Sequence, residues 1–262
     1  MRKNKLKQIW REGGAAINGW LHIPSSWSAE VLAHAGYDSL TIDLEHGFHT
    51  IETALTMMQA ISTTDTVPLV RCPWKEPMLI QRLLDAGAYG VICPMIETRE
   101  ECEMFVGACR YPPLGYRSKG PTRAKIYGGA DYASNANNEI VTFAMIETAQ
   151  GLANVEEICS VEGLDGIFVG PGDLSLALTG NWAGVDPTEQ VVVEAMDTIL
   201  ATVKAHGLVA ATYCGTVEYA KMMIGKGWQM VNVSSDTSLL ANAAKQANAA
   251  LRGVSAELTT GY

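Results

Sequence analysis

Eight short apolar, β-branched runs recur along the chain, and each is followed by a longer stretch whose apolar residues repeat at helical spacing. This alternation constrains the fold more than any other feature. Parallel strands cannot be joined by tight turns, so repeated strand-helix units build a parallel sheet with helices packed on it. The spacing predicts strands at residues 15–20, 39–43, 67–71, 90–94, 142–146, 166–169, 209–212 and 230–233. It predicts helices at 26–35, 51–62, 76–86, 98–109, 152–159, 189–205, 217–226 and 237–251. Gly36, Gly87, Gly207 and Gly227 stand where helices should stop, as glycines at helix C-termini do. Eight units in 262 residues fit one domain, 1–262, of the (β/α)8 TIM-barrel class. The alternative is a doubly wound open sheet. That fold normally carries a glycine-rich nucleotide turn after an early strand, and neither G-x-G-x-x-G nor a Walker A sequence is present.

Composition narrows the function. Nineteen basic against 28 acidic residues give a net charge of -9, and the one basic cluster is the short Arg2-Lys3-Asn4-Lys5-Leu6-Lys7 start, so nucleic acid is not an expected partner. No apolar run approaches the roughly 18 residues of a membrane span, and no apolar core follows the basic start as in a secretory leader. A cytoplasmic enzyme without membrane contact is the expectation. Cys72, Cys93, Cys102, Cys109, Cys159 and Cys214 fall within apolar patterns and never form C-x-x-C, which predicts buried free thiols.

In such a barrel the active site forms at the carboxyl ends of the strands. Strand two delivers Asp43-Leu44-Glu45-His46-Gly47, strand three Arg71, strand five Glu147, and strand six Gly170-Pro171-Gly172-Asp173. Two carboxylates, Glu147 and Asp173, are what Mg²⁺ or Mn²⁺ commonly takes from a protein, with Co²⁺ a third candidate. A 2-oxo acid such as pyruvate could complete the coordination through its carboxylate and keto oxygens, the cation then stabilising an enolate. Arg71 could hydrogen-bond the same oxyanion, and the backbone around Gly172 could seat a carboxylate. His46 suits proton transfer near neutral pH. Taken singly, each residue has a plainer explanation as a helix cap, an ion-pair partner or a structural histidine. Their coincidence on one barrel face favours a site. His22, His34, His49 and His206 have no comparable setting in the sequence.

Residues 111–138 interrupt the rhythm. Pro112, Pro113, Gly115, Gly120, Pro121, Gly128 and Gly129 are mixed with Arg117, Lys119, Arg123 and Lys125. A loop this long in a compact domain is usually functional or disordered. The expectation is a basic loop overhanging the strand ends and capturing an anion, with a solvated loop or a subunit contact as the alternative.

Six fragments carry a resemblance. Ile42-Asp43-Leu44-Glu45-His46, Val70-Arg71, Pro94-Met95, Tyr111-Pro112-Pro113-Leu114-Gly115-Tyr116-Arg117, Ile146-Glu147-Thr148 and Val169-Gly170-Pro171-Gly172-Asp173-Leu174-Ser175 together resemble the HpcH/HpaI family of metal-dependent class II pyruvate aldolases, from about residue 6 to 249. The resemblance implies a modified (β/α)8 barrel, commonly a homohexamer, with the last helix exchanged between subunits. It implies Glu147 and Asp173 as metal ligands, Arg71 as the keto-oxygen contact, and the backbone of Gly172 and Asp173 as the carboxylate seat. His46 would be the acid/base group supported by Asp85, with Asp43 ordering metal-bound water. Many relatives have glycine after the loop arginine and glutamine two residues before the metal glutamate, where this chain has Ser118 and Met145. They also read Gly-Glu-His-Ala-Pro against Leu44-Glu45-His46-Gly47-Phe48 here.

The expected reaction is reversible retro-aldol cleavage of a 4-hydroxy-2-oxo acid to pyruvate, or a close 2-oxo acid, and an aldehyde. A Schiff-base route is disfavoured because no lysine ends a predicted strand. The rivals are an acyl-CoA (malyl- or citramalyl-CoA) lyase, a 2-oxo-acid decarboxylase on the same barrel, and a non-catalytic barrel that binds metal and oxo acid.

Overall fold

The computed structural model describes residues 1–182 and 184–258. Helix α1 (Lys5–Arg11) precedes β1 (Ala16–Leu21), α2 (Ser26–Ala33), β2 (Ser39–Asp43), α3 (Ile51–Ile61), β3 (Val67–Arg71), α4 (Pro77–Ala86), β4 (Gly90–Cys93) and α5 (Arg99–Cys109). Two helices, α6 (Thr122–Gly128) and α7 (Tyr132–Glu139), lead to β5 (Val141–Ile146), and α8 (Ala149–Ala153) and α9 (Val155–Cys159) lead to β6 (Gly166–Val169). Then come α10 (Pro171–Thr179), α11 (Gln190–Ala205), β7 (Val209–Cys214), α12 (Val217–Lys226), β8 (Met230–Val233) and α13 (Asp236–Arg252). The eight strands are all parallel, pair in sequence order and close with β8 on β1, which is the expected barrel.

Local chemistry starts and stops the helices as the sequence requires. The hydroxyls of Ser25, Thr50, Thr98, Thr148, Thr216 and Ser235 each accept from the backbone N–H three residues on, satisfying one orphan donor of a first helical turn. Gly87 and Gly227 end α4 and α12 in the left-handed conformation that a side chain would oppose.

The barrel interior is packed solid. Trp20 on β1 meets Phe168 on β6 and Tyr213 on β7, with ring centroids 5.5 and 5.7 Å apart, and strands β1 and β6 are not neighbours, so this contact crosses the interior. At the opposite end α1 forms a floor: Leu6 is buried, and the Trp10 ring lies edge-on to Phe143 at 5.9 Å. All six cysteines are buried free thiols, as expected. No helix among the described residues is long and apolar enough to cross a membrane.

Residues 111–138 are not one continuous loop, and they do not lie where expected. They hold α6 and most of α7, and they follow α5, so they join a helix to the start of a strand. A barrel helix runs antiparallel to its strands, which puts this connection on the face opposite the strand ends. Two of its basic residues, Arg117 and Arg123, bind protein instead of overhanging the site, and Lys119 and Lys125 are exposed. Arg123 donates to the carbonyl oxygens of Ala86 (2.8 Å) and Met58 (3.2 Å), at the ends of α4 and α3. Arg117 is buried, donates to Asp85 at 2.7 Å, and lies 4.6 Å over the Tyr111 ring.

Candidate active site

Asp43 and Arg71 end neighbouring strands and are paired in register. Both are fully buried. The Arg71 fork grips the carboxylate in a bidentate pair, Nε to Oδ1 at 2.8 Å and Nη2 to Oδ2 at 2.5 Å. Oδ2 also accepts from Trp20 Nε1 at 3.1 Å and is bonded to His22 Nε2 at 2.8 Å. Oδ1 accepts from the backbone N–H groups of Glu45 (3.1 Å) and His46 (3.3 Å), folding the turn that carries both side chains. Arg71 is further held 5.0 Å over the Trp20 ring. Burial alone would raise the Asp43 carboxyl, but the hydrogen bonds from His22 and Arg71 and their charges outweigh it and hold the group well below the ordinary carboxylate range.

Glu45 and Glu147 lie in the opposite regime. Arg71 Nη1 stands 2.9 Å from Glu45 Oε2, yet that oxygen has no hydrogen bond of good geometry, so the contact is an ion pair without directional support. Burial is the main cause that brings the Glu45 carboxyl up to about 7, against the pull of Arg71 and with help from Asp43 and Asp173. Glu147 is 3% exposed, and burial, reinforced by Glu45 and Asp173, pushes it up to about 8 although the Met95 N–H bonds it. That N–H reaches Oε1 at 2.8 Å from a residue held at φ 56°, a conformation costly for a side-chain-bearing residue. Lys75 steadies it by donating to the Met95 carbonyl at 2.9 Å while paired with Glu101. The other oxygen, Oε2, faces Gly170, where an added Cβ would lie 2.6 Å away. Glycine there leaves room around a buried carboxylate.

Asp173 occupies the first turn of α10, and its charge acts on Glu147, Glu45 and His46. Two hard oxygen donors from adjacent strands, one of them buried and holding a proton that a cation would displace, fit a divalent ion. No side chain caps α10, and Pro171 opens it, so the N–H groups of Gly172 and Asp173 lie in a first turn that offers no partner four residues back. The Trp182 ring lies on Gly172, 2.5–2.6 Å from where a Cβ would stand. His46 is exposed at one edge of its turn, but the part of its ring that faces the protein is desolvated, and this followed by the Arg71 charge lowers its pKa.

The expected set of Asp43, His46, Arg71, Glu147, Gly172 and Asp173 therefore shares one end of the barrel. Asp85 does not join it within the chain. It lies in the last turn of α4, about 12 Å of helix rise away from the strand ends where that helix begins. Its field comes from Arg117, and burial raises its carboxyl against that charge. The expected His46–Asp85 pair is thus not formed by one chain. Sequence reasoning missed His22, whose only signal was its position one residue past β1. It also gave no role to Glu45.

The chain matches the HpcH/HpaI aldolase/citrate lyase family over residues 19–243. It is 39% identical to a hydroxypyruvate/pyruvate aldolase of Rhizorhabdus wittichii over 96% of this chain and 100% of that protein. It is 36% identical to a 4-hydroxy-2-oxo-heptane-1,7-dioate aldolase of Escherichia coli over 93% of each chain. The crystal structure of an HpcH/HpaI aldolase/citrate lyase family protein from Burkholderia cenocepacia superposes with a TM-score of 0.88 at 34% identity, covering 95% of this chain and all of that one. Agreement over this extent, on a barrel whose strand ends carry the acidic and arginine groups of the site, places the chain in the HpcH/HpaI aldolase/citrate lyase family.

Proposed function

We propose that the protein is a class II pyruvate aldolase that reversibly cleaves a 4-hydroxy-2-oxo acid to an aldehyde and pyruvate or its 3-hydroxy analogue. The observation that carries this reading is Glu147, a buried carboxylate raised to about 8, with one oxygen held by Met95 and the other facing the space that Gly170 leaves. Glu147 and Asp173 would hold the divalent cation, Mg²⁺, Mn²⁺ or Co²⁺, which when bound supplies Lewis acidity toward a 2-oxo acid.

The chain's own groups supply the rest. Arg71, locked by Asp43, presents a fixed guanidinium to the keto oxygen, and its hydrogen bond strengthens as that oxygen gains charge. The first-turn N–H groups of Gly172 and Asp173 seat the substrate carboxylate. His46, lowered by burial, is neutral at pH 7 and takes the proton of the 4-hydroxyl as the C3–C4 bond breaks. The aldehyde leaves, and protonation at C3 completes pyruvate. Asp43 acts by holding Arg71 and the His46 turn.

Assembly completes the proposal. Leu240 and Leu251 on α13 are 64% and 88% exposed, which supports an oligomer, read here as a hexamer with this helix exchanged. Asp85 would then serve His46 only across a subunit boundary. Location in the cytoplasm is part of the same reading. The test is pyruvate in D₂O with Mn²⁺ or Mg²⁺ and then with excess chelator, the methyl signal being followed by NMR. Metal-dependent exchange that disappears in Glu147→Ala and Asp173→Ala supports the aldolase. Absence of exchange with metal demonstrably bound overturns it.

A further inference from the structure

We infer that His22 is a positioning residue of this site: its imidazole, hydrogen-bonded to Asp43, keeps the Arg71 fork aimed at the reacting oxygen. The inference rests on the aldolase reading only for its kinetic readout. Two independent contacts fix His22. Its backbone N–H and that of Ile23 donate to the two oxygens of Asp236, at 2.8 and 3.1 Å, so the first residue of α13 clamps the end of β1. Its ring reaches Asp43 Oδ2 at 2.8 Å, with the side chain 12% exposed.

Asp43 is held ionised and a carboxylate only accepts, so His22 Nε2 is the protonated nitrogen and donates. That same oxygen takes Arg71 Nη2. This further donor on Oδ2 matters because Arg71 has a competing carboxylate, Glu45, 2.9 Å from Nη1. Without His22, the remaining holds on Oδ2 are Trp20, at a longer 3.1 Å, and the arginine itself. Oδ1 stays pinned by Arg71 Nε and the N–H groups of Glu45 and His46, so the carboxylate can pivot about that oxygen and the fork can shift toward Glu45. A misaimed guanidinium loses more in the transition state, where the oxygen is charged, than in the bound ketone, so kcat falls before KM changes.

Two variants test this, His22→Leu, which removes the donor, and His22→Gln, whose amide can place an N–H near the position of Nε2. Each is crystallised with metal, and each is assayed for pyruvate methyl exchange beside the wild type. In His22→Leu the Arg71 fork should leave Asp43 and kcat should fall by roughly 10- to 100-fold, the range for lost hydrogen-bond partners behind a functional group. KM should stay within about threefold. His22→Gln should restore the fork and most of the rate. An unmoved fork with an unchanged rate in His22→Leu overturns the inference. So does a His22→Gln enzyme with the fork in place but a rate as low as His22→Leu, which would make the imidazole itself a proton carrier. Wild-type protein without exchange would sink the aldolase reading instead, and the fork geometry would still decide for or against His22.

Discussion

Replacing Glu147 by glutamine should make the metal-free protein more stable while abolishing its response to metal. The wild-type carboxyl titrates at about 8 in the fold against 4.5 for an ordinary glutamate. A raised acid penalises the folded state once the unfolded chain ionises: the cost is absent below 4.5, grows by about 1.4 kcal/mol per pH unit, and levels off above about 8. At pH 7 that amounts to about 3 kcal/mol, and at pH 5 to under about 1 kcal/mol. Glutamine keeps an acceptor for the Met95 N–H, which reaches Oε1 at 2.8 Å, and it matches the shape of the protonated acid. Its amide N–H groups in a buried site return part of the gain, leaving about 1–3 kcal/mol at pH 7. Urea unfolding in chelator, at fixed protein concentration and at pH 5, 7 and 8, measures the difference. The Glu147→Gln advantage should shrink toward pH 5, and Mn²⁺ should raise the midpoint of the wild type alone. A variant less stable than wild type at pH 7, or a difference that ignores pH, would refute the reasoning.

Four further outcomes are expected. Apparent Mn²⁺ affinity should rise about tenfold per pH unit below neutrality and flatten above about 8, since binding must displace the proton on Glu147; a flat isothermal titration series would contradict it. Arg71→Lys replaces a bidentate fork by a point charge and should lower pyruvate exchange by roughly 100- to 1,000-fold while far-ultraviolet circular dichroism stays native. Arg123→Ala should cost about 1–2 kcal/mol in urea unfolding, from its bonds to Ala86 and Met58, while far-ultraviolet circular dichroism stays native. Gly172→Ala should displace the Trp182 ring and raise the pyruvate KM several-fold, and adding Trp182→Ala should recover part of that loss in a double-mutant cycle.

The strands were legible because a parallel barrel buries them on both faces, which leaves apolar runs that β5 and β6 show almost without interruption. Helix α10 was not. Its Gly170-Pro171-Gly172 start reads as a loop, although proline at the first helical position was a usable signal. Helices α6 and α7 were hidden by the glycines and prolines around them. The placement of Arg117 and Arg123 was readable from topology alone, since a segment between a helix and the next strand belongs to the far face. His22 carried no motif. What identifies it is a hydrogen bond between residues 21 apart, and periodicity within one strand does not encode that.

The chemistry of the site follows from an asymmetry inside the barrel. On one side β1, β2 and β3 contribute Asn18, whose Oδ1 accepts from Ser39 and Thr41, together with Trp20, Asp43 and Arg71. Across the interior β5 and β6 contribute Phe143, Met145 and Phe168, all buried. Asp43 therefore ends a strand among donors and is stabilised as an anion, whereas Glu147 ends a strand above an apolar wall with the Met95 N–H on one oxygen. Two carboxylates a few strands apart are driven in opposite directions by their surroundings, and that division separates their roles. The depressed one cannot release Arg71 within the physiological pH range and serves as a fixed support. In the proposed metal site the raised one would be a poor anion until a cation arrives, so metal binding and the loss of its proton would be one event. Met145 stands two residues before Glu147 and lines the same wall, its terminal methyl 2.6 Å from where a Gly170 side chain would begin. A polar residue at that position would hydrate or hydrogen-bond the wall and would draw the Glu147 carboxyl down, which would weaken any competition between its proton and a cation.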